Sequence, residues 1–129
     1  MTRRALTTVL TLLLLVLGLA ACGGGNGDED GEPAGGGTTL ELAADPGGGF
    51  SFDKETLEAP AGTITIHLTN DASVPHNVGV EGNGFDEKTD TVTNGDISLT
   101  VELEAGEYTF YCDVPGHEAG GMKGTLTVS

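Results

Sequence analysis

The segment YCDVPGHEAGGMKGTLTV, residues 111–128, carries a cysteine, a histidine and a methionine at even intervals: Cys112, His117 and Met122. The whole chain has two cysteines, three histidines and two methionines, so their concentration in one loop needs a reason. A disulfide, a catalytic thiol and a metal site are the candidates. The flanks of the segment point to the fold. In EAGEYTFYC the chain turns at Gly106, and Tyr108, Phe110 and Cys112 then share one face, which aims the thiol at a core. In KGTLTVS, Leu126 and Val128 face inward while Thr125 and Thr127 face outward.

The same two-residue period extends upstream. In GTITIHLTN, residues 62–70, Ile64, Ile66 and Leu68 form the inner face, and His67 falls on the solvent side with the threonines. In DISLTVEL, residues 96–103, the inner set is Ile97, Leu99, Val101 and Leu103, as expected of a half-buried antiparallel strand. Phe50 and Phe52 alternate, and PHNVGVEG supplies Val78 and Val80 on a short strand. Residues 82–96 read as a long irregular connection. Short strands separated by Gly, Pro, Asn and Asp clusters predict an all-β, Greek-key β-sandwich over residues 40–129.

The chain opens with MTRRALTTVLTLLLLVLGLAAC, in which two arginines precede an apolar run and small residues. Residues 1–21 read as an export signal peptide. Leu19-Ala20-Ala21-Cys22 resembles the lipobox of bacterial lipoproteins, which implies lipidation at Cys22 and anchoring on the extracytoplasmic side of the cell membrane. Residues 22–39 then form a Gly-rich and acidic tether, too poor in apolar surface to order itself and spanning about 20–25 Å as a coil. Removing the leader leaves Lys54, Lys88 and Lys123 against twenty acidic residues, which argues against nucleic acid as a partner and fits simple solubility, the default reading, or a basic protein partner.

If Cys22 is lipidated, Cys112 is the remaining thiol of an exported chain. Its loop presents thiolate, imidazole and thioether from one side, and Met122 is expected to open the next strand. His76 in SVPHNV, where Pro75 keeps the preceding backbone extended, is the donor available for the other side. Two imidazoles and a thiolate with a weak axial thioether suit copper that cycles between oxidation states. A structural zinc site favours a stronger fourth ligand. A Cys–His nucleophile lacks a substrate cleft in the sequence pattern, and a dinuclear copper loop lacks a second cysteine, since position 116 is glycine.

The stretch from Tyr111 to Val128 resembles the copper loop of cupredoxins of the plastocyanin and azurin type, and PHNV resembles their first-histidine motif; the likeness covers roughly residues 50–129. It implies one mononuclear type 1 copper with His76, Cys112 and His117 as equatorial ligands and Met122 as the axial one. Asn77 matches the asparagine that ties the two ligand loops together. Asp113 stands where the family commonly has Ser or Thr, and the Cys-x4-His-x4-Met spacing is closest to azurin-like or rusticyanin-like loops. The resemblance implies a monomeric one-electron carrier and not an enzyme, serving redox protein partners through the partly exposed edge of His117. Val114, Pro115, Ala119, Gly120 and Gly121 are the expected docking patch. A copper-buffering or delivery module is the alternative. Acid is expected to weaken copper binding, with His117 the first ligand lost from Cu(I).

Overall fold

A computed structural model describes residues 37–129; the expected signal peptide, Cys22 and the tether up to residue 36 lie outside them. Eight strands follow in order: β1 Thr38–Ala43, β2 Thr56–Ala59, β3 Gly62–Asn70, β4 Gly79–Gly82, β5 Phe85–Lys88, β6 Gly95–Leu103, β7 Gly106–Tyr111 and β8 Lys123–Val128. They form a three-stranded sheet, β1-β3-β6, and a five-stranded sheet, β2-β8-β7-β4-β5. Pairing is parallel for β1 with β3 and for β2 with β8, and antiparallel elsewhere. Among the described residues there is no helix long and apolar enough to cross a membrane. The all-β Greek-key sandwich expected from the sequence is the observed architecture.

The core is what the alternation dictates. Along β3, Ile64, Ile66 and Leu68 are fully buried, and in register on β6 they face Val101, Leu99 and Ile97. The other sheet contributes Leu57, Val80, Tyr108, Phe110, Leu126 and Val128. Ile97, the third residue of β6, is only partly buried. His67 stays on the outer face, between Ser98 at 3.0 Å and Asp96 at 3.2 Å.

Three expectations change. Thr38 and Thr39, assigned to the tether, begin β1. Residues 82–96 are not one irregular connection: β4 and β5 make a hairpin whose two-residue turn, Asn83-Gly84, has φ of 53° and 82°. Positive φ at both positions is the turn geometry that matches strand twist, and Asn-Gly is its favoured pair. Met122 precedes β8 instead of opening it, because its N–H is spent inside the loop on the carbonyl of His117 at 3.0 Å.

Candidate metal centre

His76 lies between β3 and β4 on a loop that Asn70 builds. The Asn70 side chain, fully buried, donates to the carbonyls of Val74 at 2.9 Å and Val92 at 2.7 Å and accepts from the Ala72 amide at 2.9 Å. Backbone bonds between His76 and Val92, at 3.1 and 2.8 Å, then clamp the histidine itself. Cys112 follows β7 directly, and its N–H donates to the Met122 carbonyl at 3.1 Å. Between them the chain winds through tight turns, with His117 N–H on the Val114 carbonyl at 2.9 Å and left-handed glycines at Gly116 and Gly121. Those two positions, at φ 88° and 111°, take the conformation that a side chain disfavours.

These elements bring the three expected nitrogen and sulfur donors together. Nδ1 of His76 lies 3.1 Å from Nδ1 of His117, and Sγ of Cys112 lies 3.9 and 3.6 Å from those two atoms. A point equidistant from all three is about 2.1 Å from each, within the roughly 2.0–2.3 Å at which imidazole and thiolate bind a first-row ion such as zinc. His76, Cys112 and Met122 are fully buried, and His117 is 5 % exposed. Cys112 is free of any disulfide. Among the described residues Nε2 of His76 is buried without a hydrogen-bond partner, while its Nδ1 faces Nδ1 of His117 and Sγ of Cys112.

Asn77 joins the two loops. Its Oδ1 accepts the Asp113 amide at 2.7 Å, and its Nδ2 donates to the Thr89 carbonyl at 3.0 Å. The Asp113 carboxylate turns away to Lys88, 2.9 Å distant, so the loop's added charge is matched at the surface. Replacing Asn77 with Ala strands the Asp113 N–H. The expected results are a stability loss of about 1–3 kcal/mol, read by urea unfolding, and copper affinity weakened about 10–100-fold, read by competition with a chelator. An Asn77→Ala protein matching wild type in both would remove the asparagine from the site's support.

Burial sets the charge states. Desolvation pushes the Cys112 thiol up, partly offset by the backbone amides of Asn77 and Val114. Desolvation, with His117 close by, pushes His76 down. The unfolded chain therefore takes up a proton at His76 that the folded metal-free chain resists, so stability is lost as pH falls below the ordinary imidazole value of 6.5. At the alkaline end the unfolded thiol ionises first, and stability is lost above its ordinary value of 9.0. Urea unfolding of the copper-free protein is expected to give a plateau between these limits; a stability still rising below pH 6.5 would contradict the burial of neutral His76.

The Phe50 ring stacks on a face of the His117 imidazole, with centroids 4.1 Å apart and planes 22° from parallel, and His117 keeps 5 % exposure. Such an aromatic contact contributes about 0.5–1.5 kcal/mol beyond burial. Neither Phe50 nor Asn70 was singled out as a site residue from the sequence. Asn70 ends a strand before a turn, where its side chain can bond the local backbone, and that signal could have been read. Phe50 sits in a glycine run far from His117 in sequence, with nothing local to tie them.

A sequence model of the family described as "Copper binding proteins, plastocyanin/azurin family" matches residues 38–129. Among solved structures, a dithionite-reduced auracyanin from the photosynthetic bacterium Roseiflexus castenholzii is 28 % identical, with 70 % of this chain and 96 % of that chain covered and a TM-score of 0.62. Auracyanin A, a "blue" copper protein from the green thermophilic photosynthetic bacterium Chloroflexus aurantiacus, is 26 % identical over 73 % of this chain and 100 % of that one, with a TM-score of 0.65. Amicyanin from Paracoccus versutus, 18 % identical over 70 % and 81 % of the two chains at a TM-score of 0.53, shares the fold. With His76, Cys112, His117 and Met122 arranged as a type 1 copper site, the chain belongs to the plastocyanin/azurin family of copper-binding proteins, the cupredoxins.

Proposed function

We propose that the protein is a one-electron carrier in which Nδ1 of His76, Sγ of Cys112 and Nδ1 of His117 hold one copper ion, with Met122 as a weak fourth ligand. The observation that carries this reading is the convergence of those three donor atoms within 3.9 Å, buried, in a chain of this family. When bound, copper supplies a one-electron couple between Cu(II) and Cu(I), for which mixed imidazole, thiolate and thioether donors suit both states.

The chain's own residues do the rest. The Asn77 bridge, the Asn70-built loop and the backbone bond between Met122 and His117 hold the donors in one arrangement, which leaves little to reorganise when charge changes. Burial keeps water from the three donor atoms. The amides of Asn77 and Val114 favour the thiolate that metal binding requires.

The lipobox-like Leu19-Ala20-Ala21-Cys22 and the glycine-rich stretch after it support anchoring at Cys22 on the outer face of the cell membrane. Sixteen acidic residues against three lysines in residues 37–129 support redox partners with a basic docking surface. The carrier reading is tested by reductive titration of the copper-loaded protein. Reversible loss and recovery of the blue colour with one electron per copper, and no metal released, is expected; copper released on reduction would favour the buffering or delivery alternative. Membrane placement is tested separately, by fractionation of cells carrying wild type and Cys22→Ser.

A further inference from the structure

Lys88 ends β5 and supplies no donor to the site, yet its end of the strand is stitched to both ligand loops. Thr89, the next residue, donates its N–H to the Val78 carbonyl at 2.9 Å, and its own carbonyl accepts the Asn77 side-chain amide at 3.0 Å. The Thr89 hydroxyl accepts the Val78 N–H at 3.3 Å. These bonds fix the backbone from which Lys88 projects. Lys88 pairs in register with Gly79 of β4, which pairs in turn with Tyr111 of β7, the residue before Cys112. A Cβ at Gly79 would come 2.9 Å from Lys88 Cβ and 2.8 Å from Tyr111 Cζ, so the bare glycine lets the lysine stem and the tyrosine ring lie side by side over β4. The Tyr111 hydroxyl donates to Oδ1 of Asp86 at 2.7 Å, which holds the ring in place. From this seat Nζ of Lys88 reaches Oδ2 of Asp113, 2.9 Å away, and Asp113 is the residue that follows Cys112. Residues 37–129 hold three lysines against sixteen acidic residues, and the carboxylate next to the ligand cysteine has one of the three.

Resting on the reading of Cys112 as a ligand, we propose that Lys88 sets the reduction potential of the site: its ammonium offsets the Asp113 charge and holds the potential above the value that the bare carboxylate would impose. When the site gains one electron its net charge falls by one unit, with no bond made or broken and no proton moved. A carboxylate one residue from the ligand cysteine opposes that gain, and an ammonium beside it favours the gain. The two side chains are 47 % and 45 % exposed. A pair so placed contributes little to folding, so its effect is read in the site's affinity for the electron and weakens as salt screens both charges. That affinity decides which one-electron donors and acceptors the carrier can serve, which makes Lys88 a specificity-determining residue that touches no donor atom.

The test is a redox titration against a mediator at fixed neutral pH, at low and high salt. It compares copper-loaded wild type, Lys88→Met, Lys88→Arg, Asp113→Asn and the double variant Lys88→Met/Asp113→Asn. Lys88→Met is expected to shift the equilibrium with the mediator about two- to tenfold toward the oxidised protein, the range that one unmatched charge about 10 Å from a metal spans between bulk-water and near-surface dielectric. Asp113→Asn is expected to shift it the other way. The double variant should return most of the way to wild type, Lys88→Arg should match wild type, and both single shifts should shrink at high salt. In the copper-free protein the Asp113 amide signal, which reports the bond to Asn77, should stay in place in Lys88→Met. Lys88→Gln serves if the methionine variant fails to fold. A potential unchanged or raised in Lys88→Met, a shift that the double variant or salt does not reverse, or a displaced Asp113 amide would overturn the proposal, the last by making Lys88 a prop for the loop. A wild type without a blue band would instead overturn the site reading on which it rests.

Discussion

Cys112→Ser is expected to fold and to lose the blue site altogether. The substitution is nearly isosteric at a fully buried position, and the new hydroxyl sits where Sγ lies, 3.6 Å from Nδ1 of His117 and 3.9 Å from Nδ1 of His76, so it has hydrogen-bonding partners within reach after small adjustment. Copper-free stability should therefore change by about 1 kcal/mol or less. What disappears is the thiolate, and with it the intense sulfur-to-copper absorption and the soft donor that favours Cu(I). Copper added to wild type should raise the unfolding temperature, since a ligand selective for the folded state stabilises it. In Cys112→Ser that rise should shrink sharply and no strong visible band should form. A serine variant as blue as wild type would remove Cys112 from the metal.

Phe110→Ala is expected to cost about 3–5 kcal/mol, the usual penalty for emptying a buried aromatic position. Phe110 is fully buried in β7, two residues before Cys112 on the same face, with its ring 5.6 Å from that of Phe52. It lies opposite Gly124 of β8, where an added Cβ would overlap the phenyl ring. The glycine and the phenylalanine are thus one packing unit. Against a native stability of about 5–15 kcal/mol for domains of this kind, the loss leaves the copper-free protein marginal. Urea unfolding should show a lower midpoint with an unchanged slope. Gly124→Ala alone should cost about 1–3 kcal/mol by overpacking. Combined with Phe110→Ala it should cost less than the sum, because the ring contacts are removed, but a penalty remains where the added Cβ would come 2.5 Å from the Glu55 carbonyl oxygen. A loss below 1 kcal/mol in Phe110→Ala would mean that the sandwich is not packed on this ring.

The parts of the fold that were legible are those in which one strand carries its own signal. The inner faces of β3 and β6 follow from the alternation of Ile64, Ile66, Leu68, Leu99 and Val101, because one face of each strand must be buried. The four site residues were legible because scarce, soft or imidazole side chains recur in two short motifs. Pairing was not: the parallel neighbours β1–β3 and β2–β8 are far apart in sequence, and no local residue names the partner. The β4–β5 hairpin was missed for a different reason. Asn83-Gly84 announced the turn, but the charged strand Phe85–Lys88 has no alternation to match. The stack of Phe50 on His117 is a tertiary contact between two loops distant in sequence, which no local pattern announces.

X-ray absorption at the copper edge of the loaded protein tests most directly whether His76, Cys112 and His117 share one metal. Their spacing leads to a first shell of two imidazole nitrogens and one sulfur at about 2.0–2.3 Å, with one copper per chain, and the sulfur lost in Cys112→Ser. A shell of nitrogen and oxygen alone in the folded wild type would contradict it.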